Sequence, residues 1–235
     1  MADFIESARA ILSVSEKRME TAANNVANLT TPGFKSQKLY SETLASFGTG
    51  AAPSNQQLLS DLAPGRLSKS GNPLDLAING NGYFRVSSAD RSYYSRNGQF
   101  SLARDGRVVD AKGLALQQVD GGDLVLDSSN VLITADGTVI SQGRPIAKIA
   151  IYKPASDQQV HALGGSLFAI DDSVIEAVGE PDIRQGMVEA SNVSLGDEMV
   201  TMMEALRHAE NGARLVQVYD DLMGKAISNF GQGGR

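Results

Sequence analysis

The residues best suited to chemistry are few and scattered. Two histidines, His161 and His208, lie 208 − 161 = 47 positions apart in a chain of 235 residues that has no cysteine. Without Cys there is no thiolate metal site, no Cys nucleophile and no disulfide framework. On a helix, His208 and Glu204 share one face and could bind a metal, but a lone imidazole with one carboxylate is the commoner surface pair. Asp171-Asp172 and Asp220-Asp221 lack the alternating oxygen ligands of a calcium loop. Glu176 and Glu180 could serve glycoside hydrolysis only at a defined separation, and nothing in the spacing sets one. Gly80-Asn81-Gly82 resembles the start of a dinucleotide loop. Arg85 occupies the place of the third small residue, and a strand pattern follows where a helix should. No Walker loop, Gly-x-Ser-x-Gly elbow or His-Glu-x-x-His helix occurs. The expectation is a protein with no catalytic residues, no cofactor and no metal. Met199, Met202, Met203 and Met223 read as adaptable core or interface.

These residues sit in a chain of ordinary globular composition, 42% hydrophobic and 20% charged, long enough to bury a core. The formal net charge, 21 − 27 = −6, argues against broad electrostatic binding of nucleic acid. The opening Met-Ala-Asp-Phe-Ile-Glu is acidic where a secretory signal would be basic, and no apolar run approaches the roughly 18 to 20 residues that span a bilayer.

Three patterns organise the chain. Over residues 3 to 29, Phe4, Ala8, Ile11, Ser15, Met19, Ala22, Val26 and Leu29 recur at steps of three and four. That is one apolar stripe on a helix roughly 40 Å long, stopped by Thr30-Thr31-Pro32-Gly33. From Leu74 to about Ile183 the period falls to two. Six Asn-Gly or Asp-Gly pairs between Asn79 and Gly137 predict type I′ hairpins in an antiparallel all-β domain. Ile146 to Tyr152 alternates, with Ala147, Ile149 and Ile151 as its buried face. From Ser194, a plausible N-cap, helical spacing returns through Leu195, Met199, Met202, Leu206, Ala209, Ala213, Val216, Tyr219, Met223, Ala226 and Phe230. Residues 34 to 73 read as a connector, compatible with a short helix over Ser41 to Ser46 or Gln56 to Leu62. The domain reading is therefore 1–33 N-terminal helix, 34–73 connector, 74–183 central β domain, and 184–235 C-terminal helix and tail. The fold class is mainly β with terminal α-helices that pack as a coiled-coil-like layer. A lone amphipathic helix is marginal in water, so the two apolar stripes need partners. Either they close one monomer as a hairpin or they meet other copies. A third reading makes the β domain a ligand-binding module, with Tyr93 and Tyr94 as an aromatic platform.

Three motifs carry a resemblance. Ala22-Ala23-Asn24-Asn25-Val26-Ala27-Asn28-Leu29-Thr30-Thr31-Pro32-Gly33-Phe34-Lys35 resembles the N-terminal signature of bacterial flagellar rod and hook proteins. The segment from Ser70 to Phe84, continued by Tyr94-Ser95-Arg96-Asn97-Gly98-Gln99-Phe100, resembles the entry into their β domain. Ile183 to Val193, with Glu198-Met199-Val200, resembles their C-terminal signature, although Ser194-Leu195-Gly196 departs from it. The length is most like the proximal-rod F type; the distal-rod G type runs longer. The resemblance implies a structural subunit of the basal-body rod that assembles with copies of itself and other rod subunits into a hollow drive shaft. It implies delivery across the periplasm by the flagellar type III export apparatus without a cleaved signal, no membrane insertion, and terminal helices that order on assembly. The partner interface expected on that basis comprises Phe4, Ile11, Met19, Asn24, Asn25, Val26, Asn28 and Leu29 from the first helix. The last helix contributes Leu195, Met199, Met202, Leu206, Val216 and Met223. Asn24, Asn25 and Asn28 either hydrogen-bond across neighbouring helices or only end the first one.

Overall fold

The computed structural model describes residues 2–41, 56–88, 91–119, 121–156 and 160–232. Helix α1 (Ala2–Ala27) is followed by strands β1 (Gln37–Ser41), β2 (Gln56–Ser60), β3 (Leu67–Lys69), β4 (Leu76–Ile78), β5 (Tyr83–Ser88) and β6 (Arg91–Ser95). The β region continues through β7 (Ser101–Leu102), β8 (Val108–Val109), β9 (Ala115–Leu116), β10 (Leu132–Ile133), β11 (Thr138–Ser141) and β12 (Arg144–Lys148). It closes with β13 (Ile151–Pro154), β14 (His161–Gly164), β15 (Leu167–Ala169), β16 (Ile175–Ala177), β17 (Ile183–Gln185) and β18 (Met187–Glu189), before α2 (Leu195–Gln232). The architecture is mainly β with terminal helices, as the periodicities predict. Gln56 to Ser60 is a strand and not a helix, because β2 pairs with β1. Of the other candidate helix, Ser41 ends β1 and the rest lies outside the described residues.

Two compact units result. One combines Met1–Ala27, Gln37–Leu59 and Ser194–Arg235: the two helices and the β1–β2 pair. The other combines Asn28–Ser36 with Ser60–Val193. In the second unit the largest sheet runs β14-β15-β6-β5-β9-β8-β7, with β13 joined to β5 and β16. A three-stranded sheet, β10-β11-β12, and the pairs β17–β4 and β18–β3 complete it. The core holds Phe84, Val86, Leu116, Val139, Ile149 and Ile151, with Phe84 edge-on to Phe100 at 5.5 Å. The alternating segment is divided between sheets. Ile146 stays exposed on β12, while Ile149 and Ile151 are buried as predicted and Ala150 joins them.

The turns at the described Asn-Gly and Asp-Gly pairs differ from the type I′ prediction; Asp120, of the pair Asp120-Gly121, lies outside the described residues. That turn needs positive φ at both central residues, yet Gln142 is the sole non-glycine residue with positive φ among those described. Instead Gly106 and Gly137 follow the turn in the left-handed region, at φ +82° and +87°. The Gly106 N–H donates to Ala103 O and the Ala103 N–H to Arg107 O. Thr134, Gly137 and Thr138 repeat the pattern. This is a type I turn closed by a left-handed glycine. At Asn97-Gly98 the reason for glycine is space: a Cβ there would lie 1.6 Å from the Leu76 carbonyl oxygen.

Three remote segments of this unit meet at one carboxylate. Glu189 Oε1 accepts from Lys35 Nζ at 2.6 Å and from the Gly65 N–H at 2.8 Å. Arg96 Nε stands 3.1 Å from Glu189 Oε2, an ion pair by proximity and not an aligned hydrogen bond. The side chains of Lys35 and Glu189 are each 1% exposed and that of Arg96 3%. Lys35 also donates to Ala63 O, and Arg96 donates through Nη1 to Gly82 O and through Nη2 to Gly80 O. The Glu189 carbonyl accepts from the Gly33 N–H. Gly33 sits at φ +69° with its Cβ direction blocked by the Arg96 backbone at 2.3 Å. Asn192 completes the junction, accepting from the Ser36 N–H and donating to the Asp61 and Ala63 carbonyls. Burial holds the Lys35 ammonium below its ordinary value of 10.5, with Glu189 opposing the shift.

Glu189→Ala strands two buried cations, so it should lower the unfolding free energy by about 3–5 kcal/mol in urea titrations followed by tyrosine fluorescence. The exposed Glu176→Ala control should change it by less than about 0.5 kcal/mol. Equal effects would remove the cluster as a keystone. On the surface, hydroxyl donors from Thr134 and then Thr138 pull the Asp136 carboxyl down to about 2. Its folded value is depressed, so its support is complete above the ordinary 3.8 and fades as the pH falls towards 2. Asp136→Asn should flatten the acid limb of stability in that window; an unchanged limb would contradict the assignment.

Candidate assembly surface

The terminal helices pack antiparallel. Near one end Asn25 Nδ2 donates to Glu198 Oε1 at 2.9 Å, and further along Gly212 lies against Ile11 and Leu12. The covered positions include Ala8, Leu12, Ser15, Met19, Ala22 and Val26 on α1 and Glu198, Met202, Ala205, Ala209, Gly212, Val216, Tyr219 and Met223 on α2. Both sets alternate steps of four and three, a heptad seam. Much of that seam is small. Ala8, Ser15 and Ala22 on one helix and Ala205, Ala209 and Gly212 on the other let the backbones approach. A Cβ on Gly212 would lie 3.3 Å from Ile11 Cγ2 and from Leu12 Cδ2. Ser15 Oγ is satisfied by donating to the Ile11 carbonyl at 2.8 Å.

Asn25 is the polar hub of this unit. Its side chain donates to the Gln37 carbonyl at 2.8 Å and accepts from the Gln37 N–H at 2.9 Å, besides its bond to Glu198. One buried amide therefore ties α1, β1 and α2. Its neighbours do other things. Asn28 Oδ1 accepts from Thr31 Oγ1 in the turn that ends the helix. Asn24 is exposed, on the rim of a groove of about 190 Å³ with Glu20, Leu39 and Leu58.

The remaining predicted interface residues divide. Met19 and Val26 on α1, Leu29 in the turn after it, and Met202, Val216 and Met223 on α2 are half-buried. Ile11, 37% exposed, reaches the seam at Gly212. Phe4 belongs to α1, and its side chain lies outside the described residues. Leu195, Met199 and Leu206 do not face α1: they are 44%, 54% and 51% exposed. Helical spacing read for the largest apolar residues drifts off the seam here, because the seam itself uses Ala205, Gly212 and Glu198. Glu198 as the partner of Asn25 was legible only as part of a motif.

Most of the exposed large apolar residues of α2 form two further strips; Val200, 49% exposed, points away from the seam and belongs to neither. At about 100° per residue, Leu195, Met199, Met203 and Leu206 project to one side of the seam in the N-terminal half. Leu215, Val218 and Leu222 project to the other side in the C-terminal half, 39%, 54% and 60% exposed. The strip centres stand roughly 25 Å apart along the axis. Elsewhere, Tyr94 is buried, with its ring 6.0 Å from that of Tyr152, and Tyr93 packs on the core, so the proposed aromatic platform is not available. Gly80-Asn81-Gly82 leads into strand β5, and Arg96 grips its carbonyls. Asp171 accepts from the Ser173 N–H and caps a single 3-10 turn. Among the described residues no helix is long and apolar enough to cross a membrane.

Comparison with known proteins follows the same division of the chain. Residues 12–35 match the flagella basal body rod protein family. Residues 77–165 match the flagellar hook protein FlgE/F/G D1 domain, and residues 184–229 the flagellar basal body rod FlgEFG protein C-terminal family. The chain is 30% identical over 225 residues to flagellar basal-body rod protein FlgF of Mesorhizobium japonicum, covering 92% of each. It is 28% identical over 228 residues to FlgF of Caulobacter vibrioides, covering 92% of this chain and 93% of the relative. Flagellar basal-body rod protein FlgG of Buchnera aphidicola subsp. Baizongia pistaciae is 29% identical over 251 residues, covering 91% of this chain and 94% of the relative. From the helical seam to the β unit, over nine-tenths of its length, the chain belongs to the flagellar basal-body rod protein family.

Proposed function

We propose that this protein is a structural subunit of the proximal rod, polymerising with its own copies and with neighbouring rod subunits into a hollow shaft that transmits torque. The observation that carries this reading is α2, which bears an exposed apolar strip on one side of the seam in its N-terminal half and on the other side in its C-terminal half, beyond the face that α1 covers. A helix apolar on several sides is stable only when buried on several sides. The two strips lie on opposite sides of the seam and are offset along the axis. Contacts between unlike surfaces of this kind are heterologous, and they propagate as an open helical array when the rotation does not close a ring. Length supports the proximal type. The two FlgF alignments extend over 225 and 228 residues, whereas the FlgG alignment stretches to 251 for a similar share of this 235-residue chain.

On this reading the protein does its work mechanically, without catalysis, in the rod where it crosses the periplasm. It reaches that place through the flagellar type III export apparatus without a cleaved signal, and it binds neither nucleic acid nor bilayer. The seam around Asn25 sets the register of the two helices, and the outer strips recruit the neighbours.

Val218→Asp with Leu222→Asp alters exposed positions, so the purified variant should keep its melting curve and lose less than about 0.5 kcal/mol. In a strain lacking the native protein it should fail to restore swarming and should be absent from isolated basal bodies. Normal swarming would contradict the role given to the strip. Val26→Asp lies in the seam and should likewise block incorporation, while the tyrosine-rich β unit retains its folded spectrum. Rods assembled from Val26→Asp would contradict the inner-layer role of the helices.

A further inference from the structure

The sequence holds four Asn-Gly pairs, at Asn79, Asn81, Asn97 and Asn211. Such a pair can lose ammonia, because a following glycine leaves its backbone nitrogen unhindered beside the asparagine side chain. Folding restrains three of the four. Asn79 Nδ2 donates to Asp182 Oδ2 at 2.7 Å. Asn97 Oδ1 accepts from the Gln99 N–H at 3.0 Å, and the Asn97 N–H donates to Ser95 Oγ at 3.0 Å. Asn211-Gly212 lies inside α2, where the Gly212 N–H is engaged in the helical ladder. Asn81 is different: its side chain is exposed and makes no hydrogen bond among the described residues.

We propose that Asn81 is a site of spontaneous covalent modification that acts on the buried ion cluster through Arg96. The Gly82 nitrogen gives up its proton and bonds to Asn81 Cγ, and the side-chain nitrogen leaves as ammonia. Solvent water then opens the cyclic imide at one of its two carbonyls. One opening gives aspartate. The other gives isoaspartate, which routes the main chain through the side chain and adds one methylene to it.

That extra methylene falls between two carbonyls held by one rigid group. Arg96 Nη2 accepts no change at Gly80 O, 2.7 Å away, without losing Gly82 O, 2.8 Å from Nη1. The guanidinium fork is planar and fixed, so it cannot follow a lengthened loop at both points. Its Nε is the same group that stands 3.1 Å from Glu189 Oε2. Isoaspartate at position 81 therefore loosens one arm of the Glu189 cluster, whereas aspartate leaves the backbone intact.

The test uses the full chain, aged in mildly alkaline buffer and mapped by mass spectrometry with fragmentation that separates the two isomers. Deamidation should accumulate at Asn81 before it is detectable at the other three pairs, and this order should vanish in denaturant. If Asn79, Asn97 or Asn211 reacts as fast as Asn81 in the folded chain, the site assignment is overturned. The isoaspartate fraction, resolved by ion exchange, should melt below the unmodified chain, while Asn81→Asp should melt at the same temperature as the unmodified chain. Equal melting of the isoaspartate fraction and Asn81→Asp would overturn the link to Arg96.

Discussion

A 38-residue helix that is apolar on more sides than its own chain covers imposes one constraint on everything else in this protein. Burying a leucine or valine side chain is worth about 1.5–3 kcal/mol, so leaving Leu206, Val218 and Leu222 in water forgoes a stabilisation comparable to the marginal stability of a domain. A subunit of a continuous array recovers it, because each neighbour covers what the chain itself exposes. The seam beneath those strips is correspondingly economical. Alanine, serine and glycine bring α1 and α2 close, and one satisfied amide, Asn25, fixes their register where a wholly apolar seam could slip.

The β unit is held by a different device. Its first segment and its central hairpins are remote in sequence from its last strand, and Lys35 and Arg96 from the former meet Glu189 on the latter. A buried carboxylate with two cations and one backbone donor is not a large source of net stability, since desolvation offsets most of the attraction. Its effect is specificity: a chain in which Lys35 or Arg96 is elsewhere leaves charges buried without partners. This gives a physical reason for the composition of the three motifs. Gly33 is there because only glycine fits against the Arg96 backbone, and Lys35 because Glu189 and Ala63 need a long single-point donor.

Much of the fold was legible before the structure. The steps of three and four marked both helices, the Gly/Asn/Asp punctuation marked an antiparallel β unit, and Ile149 and Ile151 read correctly as buried. The misses have definite causes. Strand β2 was obscured because Gln56-Gln57-Leu58-Leu59 has neither period, and only pairing with β1 makes it a strand. The turns were assigned the wrong type because Asn-Gly and Asp-Gly signal positive φ without saying which residue adopts it. On α2 the seam hid behind its own flank: periodicity favours large residues such as Met199 and Leu206, while close packing uses Ala205 and Gly212. The ion cluster was invisible as chemistry, since no spacing links residues 35, 96 and 189.

Tracing this chain in an imaged basal body shows what covers each face of α2. Met199, Met203, Val218 and Leu222 should be buried against neighbouring rod subunits, with Asn25 still bonded to Glu198 within each copy. A chain found in the rod with those four side chains facing solvent, or one absent from the rod altogether, would contradict the assembly role given to α2.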